Sequence, residues 1–346
     1  MDIGSAQGLW DPKTVYLNTA TFGLPPRPSW DALQTALDEW RHGKTGFWGW
    51  DESVGASRRA FAELVGAPED SVVTSATAAS LTAFVADSLP DGSTVVAPEI
   101  EFTSALWPWM VHSDRGVTVR TVPLGNLANE IDQQTDLVAL SAVQSATGEV
   151  ADLDDIVGAA RTAGALLFLD ATQACGWMPI DASRFDFVVC AAYKWLMSPR
   201  GSAFMSVAPQ HIDSLRPLAA NWYAGDEVAE SYYGPPLRLA DTARRLDISP
   251  AWFCWVGTRP SIELLLSIGI ENINRHNVGL ANRFLEGLGH EAGDSAIVRV
   301  ALEGADERLR RAGIMTSVRA GQVRASFHLY NTESDVDAAL EALGAL

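Results

Sequence analysis

An α/β fold built on a mainly parallel sheet is predicted by two features of the sequence. Between about residues 65 and 208, short apolar runs alternate with segments of helical periodicity, the pattern of βαβ units. Apolar runs of this length, bounded by turn or polar residues, are typical of buried strands in a parallel sheet. The clearest of these runs lie at 71–75, 94–97, 117–122, 137–141 and 165–170.

Four segments precede this region. Residues 1–30 are predicted to form an irregular arm that ends in a proline-rich stretch, Leu24-Pro25-Pro26-Arg27-Pro28. Helical periodicity then predicts a helix from Ser29 to about Arg41 and a second helix over 53–65. A loop rich in glycine and tryptophan is predicted between them, from Gly43 to Trp50.

The pattern changes after a break at Gly234-Pro235-Pro236. A long helix is predicted from about Val256 to His276, followed by mixed helix and strand. We therefore predict three parts: an N-terminal arm over 1–30, a large domain over 31–235, and a smaller C-terminal α+β domain over 236–346.

Composition excludes several classes of protein. The chain has 346 residues, 47% of them hydrophobic and 20% charged, which suits a globular protein with a large core. A formal net charge of -18 argues against nucleic-acid or anionic-membrane partners, which would require basic patches. The first residues show no secretory signal pattern, and no apolar run reaches membrane-spanning length, so the cytosol is the expected compartment.

Neither a disulfide framework nor a metal site is predicted. The three cysteines, Cys175, Cys190 and Cys254, are scattered, odd in number and without a CxxC pair. The six histidines show no HExxH or comparable spacing.

Asp170 and Lys194 are the strongest candidates for catalytic residues. Each follows a short apolar run, 166–169 and 187–192, and ligands of a parallel sheet bind beyond the carboxyl ends of its strands. A pyridine-type cofactor needs such a pair, a carboxylate for its ring nitrogen and a lysine for a Schiff base. The alternatives are a helix N-cap for Asp170 and a solvated strand end for Lys194.

Two further segments suggest binding groups. The run 74–81 follows a predicted strand and opens a predicted helix, where free N–H groups and the helix dipole favour a phosphate, with Thr77 adding its hydroxyl. An ordinary capped helix start is the alternative. Arg324 lies in an alternating strand pattern and suits a substrate carboxylate; a structural salt bridge is the alternative there.

Taken in order, these motifs resemble those of the class V aminotransferase group, pyridoxal 5'-phosphate (PLP) enzymes of fold type I. The similarity extends from Tyr16-Leu17-Asn18-Thr19-Ala20-Thr21-Phe22-Gly23 to Arg324–Thr332, nearly the whole chain. The resemblance implies the fold type I architecture, PLP as cofactor, a small amino-acid substrate and a homodimer. In many relatives a segment near 245–250 reaches the phosphate bound by the partner subunit.

Individual roles follow from the same resemblance. Asp170 and Lys194 match the residues that pair with the ring nitrogen and form the Schiff base. Gln173 matches the residue that bonds the ring hydroxyl, and Arg324 the residue that holds the substrate α-carboxylate. The resemblance assigns Ala76, Thr77 and Tyr193 to the phosphate and Asn18 to the substrate.

The sequence departs from the family pattern in two places. Phe102 stands where relatives place a histidine that stacks on the cofactor ring, and a phenyl ring can stack but cannot transfer protons. Desulfurases of the group also carry a mobile loop with a nucleophilic cysteine before the carboxylate arginine. Here the corresponding segment, 317–322, is short and has no cysteine, which argues against persulfide chemistry.

Within the group, the overall match is to the carbon–sulfur lyases of ergothioneine biosynthesis, which implies β-elimination from hercynylcysteine sulfoxide. An amino-acid epimerase or another cysteine-conjugate β-lyase would share every motif. A catalytically inactive binding module is the non-enzyme alternative, against which an intact Lys194 argues. A nucleotide-binding oxidoreductase is not supported, since no GxGxxG follows a strand.

Aromatic residues in two glycine-containing segments suggest a pocket for the distal part of the substrate. They are Trp48, Trp50, Trp222 and Tyr223. Aromatic faces bind quaternary ammonium groups such as the trimethylammonium of hercynylcysteine sulfoxide. Packing in the core is the alternative for all four.

Overall fold

A seven-stranded sheet forms the centre of the computed structural model, which describes residues 1–44 and 46–345. The strands of this sheet and of two smaller sheets are β1 (Val15–Tyr16), β2 (Val72–Ser75), β3 (Thr94–Pro98), β4 (Thr118–Val122), β5 (Leu137–Ser141), β6 (Leu166–Asp170), β7 (Phe187–Ala191), β8 (Ala203–Val207), β9 (Ile297–Val300), β10 (Ile314–Met315), β11 (Ser317–Arg319) and β12 (Gln322–Ser326). All five strands predicted at 71–170 are present, each within one residue of its predicted bounds.

Helices flank this sheet and its neighbours. They are α1 (Ile3–Gln7), α2 (Arg27–Arg41), α3 (Phe47–Val65), α4 (Ala78–Ser88), α5 (Thr103–Met110), α6 (Leu127–Glu130), α7 (Leu153–Ala163), α8 (Trp252–Ile268), α9 (Ile270–Gly287), α10 (Ala305–Arg311) and α11 (Glu333–Leu343). In the described parts of the chain, no helix is both long and apolar enough to cross a lipid bilayer.

The central sheet is mainly parallel, as predicted. Its order is β2-β8-β7-β6-β5-β3-β4, and β8 alone runs antiparallel to its neighbours β2 and β7. Parallel pairing aligns Asp170 with Ser141 on one side and with Val189 on the other. The carboxyl ends of β5, β6 and β7 therefore lie side by side at one edge of the sheet.

Both faces of the sheet are covered, which explains the apolar sequence of its strands. All five residues of β5, β7 and β8 are buried. Helices α3, α7 and α8 contribute to the core on one face, and α4 and α5 contribute to the core on the other. Strands enclosed in this way have no water-facing side, so the polar alternation of a half-exposed strand is missing.

A second, antiparallel sheet has the order β11-β12-β9 and packs with α9, α10 and α11. The N-terminal arm joins it, because β1 pairs with β10 and Asn18 forms a bridge to Ser326. The arm also contacts the loop that carries Lys194, because the N–H of Gly23 donates to the carbonyl of Tyr193. The predicted domain bounds at 30 and 235 stay predictions.

Three predicted elements differ from the structure. The arm predicted to be irregular over 1–30 contains α1, which is capped by the side chain of Asp2, as well as β1 and the start of α2. The predicted loop from Gly43 to Trp50 is wrong from Phe47 onward, where α3 begins, and residue 45 lies outside the described residues. Gly49 suggested a loop, but it lies in the exposed first turn of α3. The single helix predicted over 256–276 is two helices, α8 and α9, separated by Gly269 at φ +87°. A residue in that conformation ends the helical hydrogen-bond pattern.

Candidate active site

A cavity of about 290 Å³ lies beyond the carboxyl ends of β5, β6 and β7. It brings together all the residues that the sequence assigned to the cofactor: Ala76, Thr77, Phe102, Asp170, Gln173, Tyr193 and Lys194. Larger clefts of about 570 and 800 Å³ lie elsewhere, but they contain none of these residues. The chemistry of the lining, and not its size, therefore selects this cavity as the candidate site.

Asp170 is a buried carboxylate held by a local hydrogen bond. Its Oδ1 accepts from the backbone N–H of Thr172 at 2.8 Å, and the Thr172 hydroxyl in turn accepts from the N–H of Ala191 at 3.0 Å. Burial raises the pKa of Asp170, whereas the bonds from Thr172 and the nearby Lys194 oppose that rise. A buried carboxylate of this kind is suited to a cationic partner such as a protonated pyridine nitrogen.

Lys194 is a buried amine whose pKa falls to about 8. Burial is the main cause; Asp170 opposes the fall, and Arg324 adds to it. The Nζ atom lies 5.4 Å from the ring centre of Phe102 and 5.8 Å from that of Tyr193. A lysine with a lowered pKa has a neutral, nucleophilic form at accessible pH, as Schiff-base chemistry requires.

This pKa predicts how the cofactor-free protein takes up PLP. Only the neutral amine can attack an aldehyde, so the attachment rate should rise with pH, show a midpoint near 8, and then level off. Stopped-flow absorbance after mixing with PLP, from pH 6 to 10.5, measures it. A rate that keeps rising to pH 10 would show an ordinary, solvated lysine and contradict the assignment.

The N-terminal arm fixes the backbone that carries Lys194. The N–H of Gly23 donates to the carbonyl of Tyr193 at 2.9 Å. A Cβ atom at Gly23 would lie 2.0 Å from the carbonyl oxygen of Lys194, so no other residue fits this contact without a backbone shift. The motif at 16–23 thus has a steric role beside the catalytic lysine.

The side-chain amide of Gln173 forms hydrogen bonds with three different segments of the chain. Its Nε2 donates to the carbonyl of Ala20 and to the hydroxyl of Ser145, both at 3.0 Å, and its Oε1 accepts from the indole of Trp195 at 2.8 Å. The amide therefore ties the arm, the segment after β5 and the lysine loop together. Its predicted bond to a cofactor hydroxyl stays a prediction.

The first turn of α4 forms the end of the cavity suited to a phosphate. Thr77 is the N-cap, and its hydroxyl accepts from the N–H of Ser80 at 3.1 Å. The first N–H groups of a helix have no partner within it, and a helix start of this kind favours a bound anion. Arg200 also lines the cavity, with its guanidinium 5.1 Å from the ring centre of Tyr193, and adds positive charge.

Arg324 is a buried guanidinium with hydroxyl and carbonyl partners. It donates to the carbonyl of Ser145, to the Ser145 hydroxyl at 3.3 Å and to the Thr21 hydroxyl at 2.8 Å. No Asp or Glu of residues 1–44 and 46–345 pairs with it, and its Nε has no partner there. Burial and Arg319 lower its pKa to about 10. The structural salt bridge considered from the sequence is thus not formed by the described residues.

Arg324→Ala should weaken amino-acid binding by about 2–5 kcal/mol and leave PLP binding intact, because a charged, bidentate contact is lost. Arg324→Lys should recover only part of the affinity, since an ammonium lacks the planar fork. Titration of the PLP absorbance with an amino-acid ligand measures both affinities. Equal affinity in all three proteins would contradict a substrate-binding role.

Ser145, which lines the cavity, and Glu101, which bonds to the lining residue Ser141, were not assigned a role from the sequence. Ser145 receives hydrogen bonds from both Gln173 and Arg324. Glu101 is a buried carboxylate that accepts from the N–H and hydroxyl of Ser141, at 2.7 and 2.6 Å; burial raises its pKa. Placement just after β5 and β3 was the available signal, because those strand ends share an edge with Asp170.

Phe102 lies where the sequence suggested, although a stacking role stays a prediction. It precedes α5 as its N-cap residue, and the residue is 49% exposed. A ring left this open at a cavity wall can lie against a planar ligand. Asn18, by contrast, is not among the residues that line the cavity, and its backbone bridges to Ser326.

The four aromatic residues proposed for the distal substrate do not line this cavity. Trp48 and Tyr223 lie at a separate cleft, where the Tyr223 hydroxyl donates to Asp51 at 2.8 Å. Trp50 packs on Phe253 with ring centres 5.0 Å apart, and Trp222 packs edge-on against Tyr223 at 5.4 Å. A role in substrate binding would require a second subunit to bring these residues to the site.

The segment near 245–250 would likewise need a partner subunit to make its predicted contact with a phosphate. The predicted phosphate-reaching segment near 245–250 is held by a buried ion pair, 2.6 Å between Arg58 Nη2 and Asp247 Oδ2. Asp247 also accepts from the N–H of Thr74, just before the phosphate loop, at 2.8 Å. The segment is therefore fixed next to the strand that leads into the predicted phosphate loop.

The described residues fit PLP on chemical grounds. A buried lysine and a buried carboxylate face one cavity, a helix N-terminus and an arginine flank it, and an open phenyl ring forms one wall. Arg324 is not among the residues that line the cavity. It donates to Ser145, which does line the cavity, and so it supplies an unneutralised cation beside that residue. Its predicted contact with a substrate carboxylate stays a prediction. Among residues 1–44 and 46–345, no cluster of three or more His, Cys, Asp or Glu side chains is arranged to hold a metal ion.

Comparisons with solved structures agree with this architecture. The cysteine desulfurase CsdA of Escherichia coli superposes with a TM-score of 0.84 at 20% identity, covering 99% of this chain and 98% of that one. The cystine C–S lyase C-DES superposes with a TM-score of 0.87 at 18% identity, covering 98% of each chain. These similarities confirm the predicted fold type I architecture.

Sequence comparisons identify the family. Among curated proteins, the uncharacterized aminotransferase YcbU of Bacillus subtilis is 26% identical over 86% of this chain and 85% of its own length. The isopenicillin N epimerase of Streptomyces clavuligerus is 25% identical over 73% of each chain. The family model "Aminotransferase class-V" matches residues 48–318. The chain belongs to the class V aminotransferase family, and as a PLP-dependent enzyme of that family it uses pyridoxal 5'-phosphate as its cofactor.

Proposed function

We propose that this enzyme is a carbon–sulfur lyase that cleaves the Cβ–S bond of a cysteine-derived sulfoxide, with hercynylcysteine sulfoxide as the substrate. The products are a sulfenic acid, pyruvate and ammonia. The observation that carries this proposal is the tight β11–β12 hairpin before Arg324, which contains no thiol.

In this hairpin, Arg319 pairs with Gln322, so only Ala320 and Gly321 form the turn. Both have positive φ, 45° and 77°, as a two-residue hairpin turn of type I′ requires. A connection this short has no room for the mobile cysteine loop of a desulfurase. The free cysteines are Cys175, Cys190 and Cys254, and none lines the cavity. With no thiolate available to accept sulfur, elimination is favoured over sulfur transfer.

The site residues divide the work of an elimination. Arg324 would hold the α-carboxylate and so orient the substrate toward Lys194. Lys194, with a pKa of about 8, would take the proton from Cα as general base. PLP, when bound, supplies the electron-withdrawing ring that stabilises negative charge at Cα. Asp170 would keep the ring nitrogen protonated and thereby sustain that withdrawal.

The reaction balances without an added oxidant or reductant. The Cα–H and Cβ–S bonds break, the sulfur leaves with its oxygen as a sulfenate, and that sulfenate takes up a proton. The remaining three-carbon fragment reacts with water to give pyruvate and ammonia. Reduction of the sulfenic acid to a thione would need a separate reductant.

The relatives lend the proposal partial support. C-DES is described as a cystine C–S lyase, and other relatives as cysteine desulfurases, such as the probable one of Methanothermobacter thermautotrophicus at 27% identity. Isopenicillin N epimerases, at 25% identity, make amino-acid epimerisation the second candidate. An intact, buried Lys194 weighs against an inactive binding module.

Product analysis separates these candidates. The purified holoenzyme should release pyruvate from hercynylcysteine sulfoxide within a panel of cysteine conjugates. In D₂O, the recovered substrate should contain little deuterium at Cα, because Cβ–S cleavage is expected to be faster than return of a proton to Cα. Deuterated, racemised substrate without pyruvate would instead establish an epimerase, and no change of any kind would favour the binding module.

The distal part of the substrate gives a further prediction. We expect changes to Leu at Trp48, Trp50, Trp222 and Tyr223, singly, to reduce the preference for a trimethylammonium substrate over its primary-amine counterpart. Each aromatic ring contributes about 0.5–2 kcal/mol to binding a quaternary ammonium. The ratio of kcat/KM values for the two substrates measures this preference.

Trp30→Leu is a suitable control, since Trp30 is also exposed, at 53%, but lies on α2 outside both segments. If all four variants keep the full preference, these aromatic residues serve packing or subunit contacts instead.

We also propose that the enzyme is a homodimer and that it is located in the cytosol. Sedimentation of the holoenzyme tests the dimer.

A further inference from the structure

Arg319 places a second guanidinium beside Arg324. Its Nη2 donates to the Thr21 hydroxyl at 3.4 Å, and the same hydroxyl receives Nη2 of Arg324 at 2.8 Å. The two nitrogens are therefore no farther apart than these two distances combined. Arg319 is only half-buried and lies at the turn end of the β11–β12 hairpin, so one side of it stays accessible.

The positive charge of this pair is not neutralised by the described residues. Within residues 1–44 and 46–345, neither arginine forms an ion pair with an Asp or Glu. The protein partners of Arg319 are the neutral oxygens of Val318 and Thr21. Burial is the main cause of the lowered pKa values of Arg324 and Lys194, and the charge of Arg319 adds to both shifts. Two like charges held this close favour an anionic or strongly dipolar ligand.

We propose that Arg319 binds the sulfinyl oxygen of the substrate while Arg324 binds its α-carboxylate. This inference rests on the proposed lyase function and adds to it a residue that distinguishes sulfoxides from thioethers. The spacing is suitable, because the sulfinyl sulfur is separated from the carboxylate carbon by Cα and Cβ alone. A thioether has no oxygen at this position and would leave the guanidinium without its partner.

The same contact would assist bond cleavage. As the Cβ–S bond breaks, its electron pair goes to the departing sulfenate, and negative charge grows on the oxygen. A guanidinium already in place stabilises that charge more than it stabilises the neutral sulfoxide. Arg319 need not give up a proton, since the released sulfenate can be protonated by water. The residue would thus act on both specificity and rate.

Paired substrates test this role. We expect Arg319→Gln to lower kcat/KM for pyruvate release from hercynylcysteine sulfoxide by roughly 10²–10³-fold, the effect of removing one oxyanion donor. For the thioether hercynylcysteine the change should stay within about threefold. Arg299→Gln is the matched control: Arg299 lies on the neighbouring strand β9, opposite Arg324 in register, but its side chain is exposed. It should match the wild type on both substrates.

Two results would overturn the proposal: equal losses on sulfoxide and thioether, which indicate a structural role, or no loss on either. Arg319→Lys provides a second variant that preserves charge at the turn, and circular dichroism verifies the fold of each protein. The lysine variant should show an intermediate sulfoxide preference, because it keeps the charge without the fork.

A binding measurement separates failure of this inference from failure of the proposed function. If wild-type enzyme releases no pyruvate, the lyase proposal fails, but dissociation constants for S-methylcysteine sulfoxide and S-methylcysteine can still be measured by PLP absorbance. Tighter binding of the sulfoxide by wild type, lost in Arg319→Gln, would support the contact on its own. Equal constants for both ligands in both proteins would overturn it.

Discussion

Asp170→Asn should retain the fold and bind PLP, yet lose roughly 10²–10⁴-fold in kcat/KM, the effect of removing a key electrostatic partner. Asparagine is nearly isosteric, and its Oδ1 can still accept the N–H of Thr172, which holds the side chain in place at 2.8 Å. It cannot, however, offer the negative charge that keeps a pyridine nitrogen protonated. The loss should therefore fall on kcat more than on cofactor affinity.

Asp186→Asn is the matched control for this variant. Asp186 also accepts a backbone N–H, that of Leu167 at 2.8 Å, but it lies at the amino end of β7, away from the cavity. Its other oxygen lies 2.8 Å from Nε2 of His211. A similar change in its hydrogen bonding should leave turnover close to wild type. Pyruvate release measures the turnover of both variants, and PLP absorbance measures their cofactor binding. Near-normal turnover by Asp170→Asn would rule out its role in electron withdrawal.

The cofactor end of the site could be predicted because it is built from strand ends. Asp170 and Lys194 follow apolar runs, and the geometry of parallel sheets requires such positions to meet at one edge. Thr77 was predicted for a similar reason, since a strand leading into a helix exposes free N–H groups. The structure places all three on one cavity. Local sequence sufficed here because each residue is positioned by its own strand or helix.

The substrate end could not be predicted in the same detail. Arg324 was identified, but its contacts with Ser145 and Thr21 span 179 and 303 residues along the chain. Contacts of this separation depend on how the second sheet and the arm pack against the first sheet, and no local pattern encodes that packing. Arg319 has no local sequence signal for the same reason. Its significance lies in sharing the Thr21 hydroxyl with Arg324, which only the folded chain reveals.

The aromatic segments illustrate a different difficulty. Their glycines suggested loops facing a ligand, whereas Trp48 and Trp50 lie on α3 and Tyr223 is buried against Asp51. Composition alone cannot distinguish a ligand wall from a helix surface. Their predicted role now depends on an assembly that would bring them to the cavity, and the substrate-preference experiment tests it directly.

Lys194 should carry the cofactor, and its replacement should abolish turnover. The chain contains only three lysines, Lys13, Lys44 and Lys194. Lys13 and Lys44 are exposed, whereas Lys194 is buried beside Asp170 with a pKa of about 8. Borohydride reduction of the holoenzyme, followed by peptide mapping, should therefore place the pyridoxyl label on Lys194.

Lys194→Ala should lose roughly 10⁴-fold or more in turnover, because the general base at Cα and the covalent anchor are removed together. The change also leaves the buried Asp170 carboxylate without its neighbouring cation, so the variant should unfold at a lower temperature than the wild-type apoprotein. Circular dichroism verifies that it is folded at the assay temperature. Lys13→Ala and Lys44→Ala serve as controls that should keep both label and activity. A label on either exposed lysine, or turnover by Lys194→Ala within tenfold of wild type, would mean that the buried amine is structural and that the proton is removed by another group.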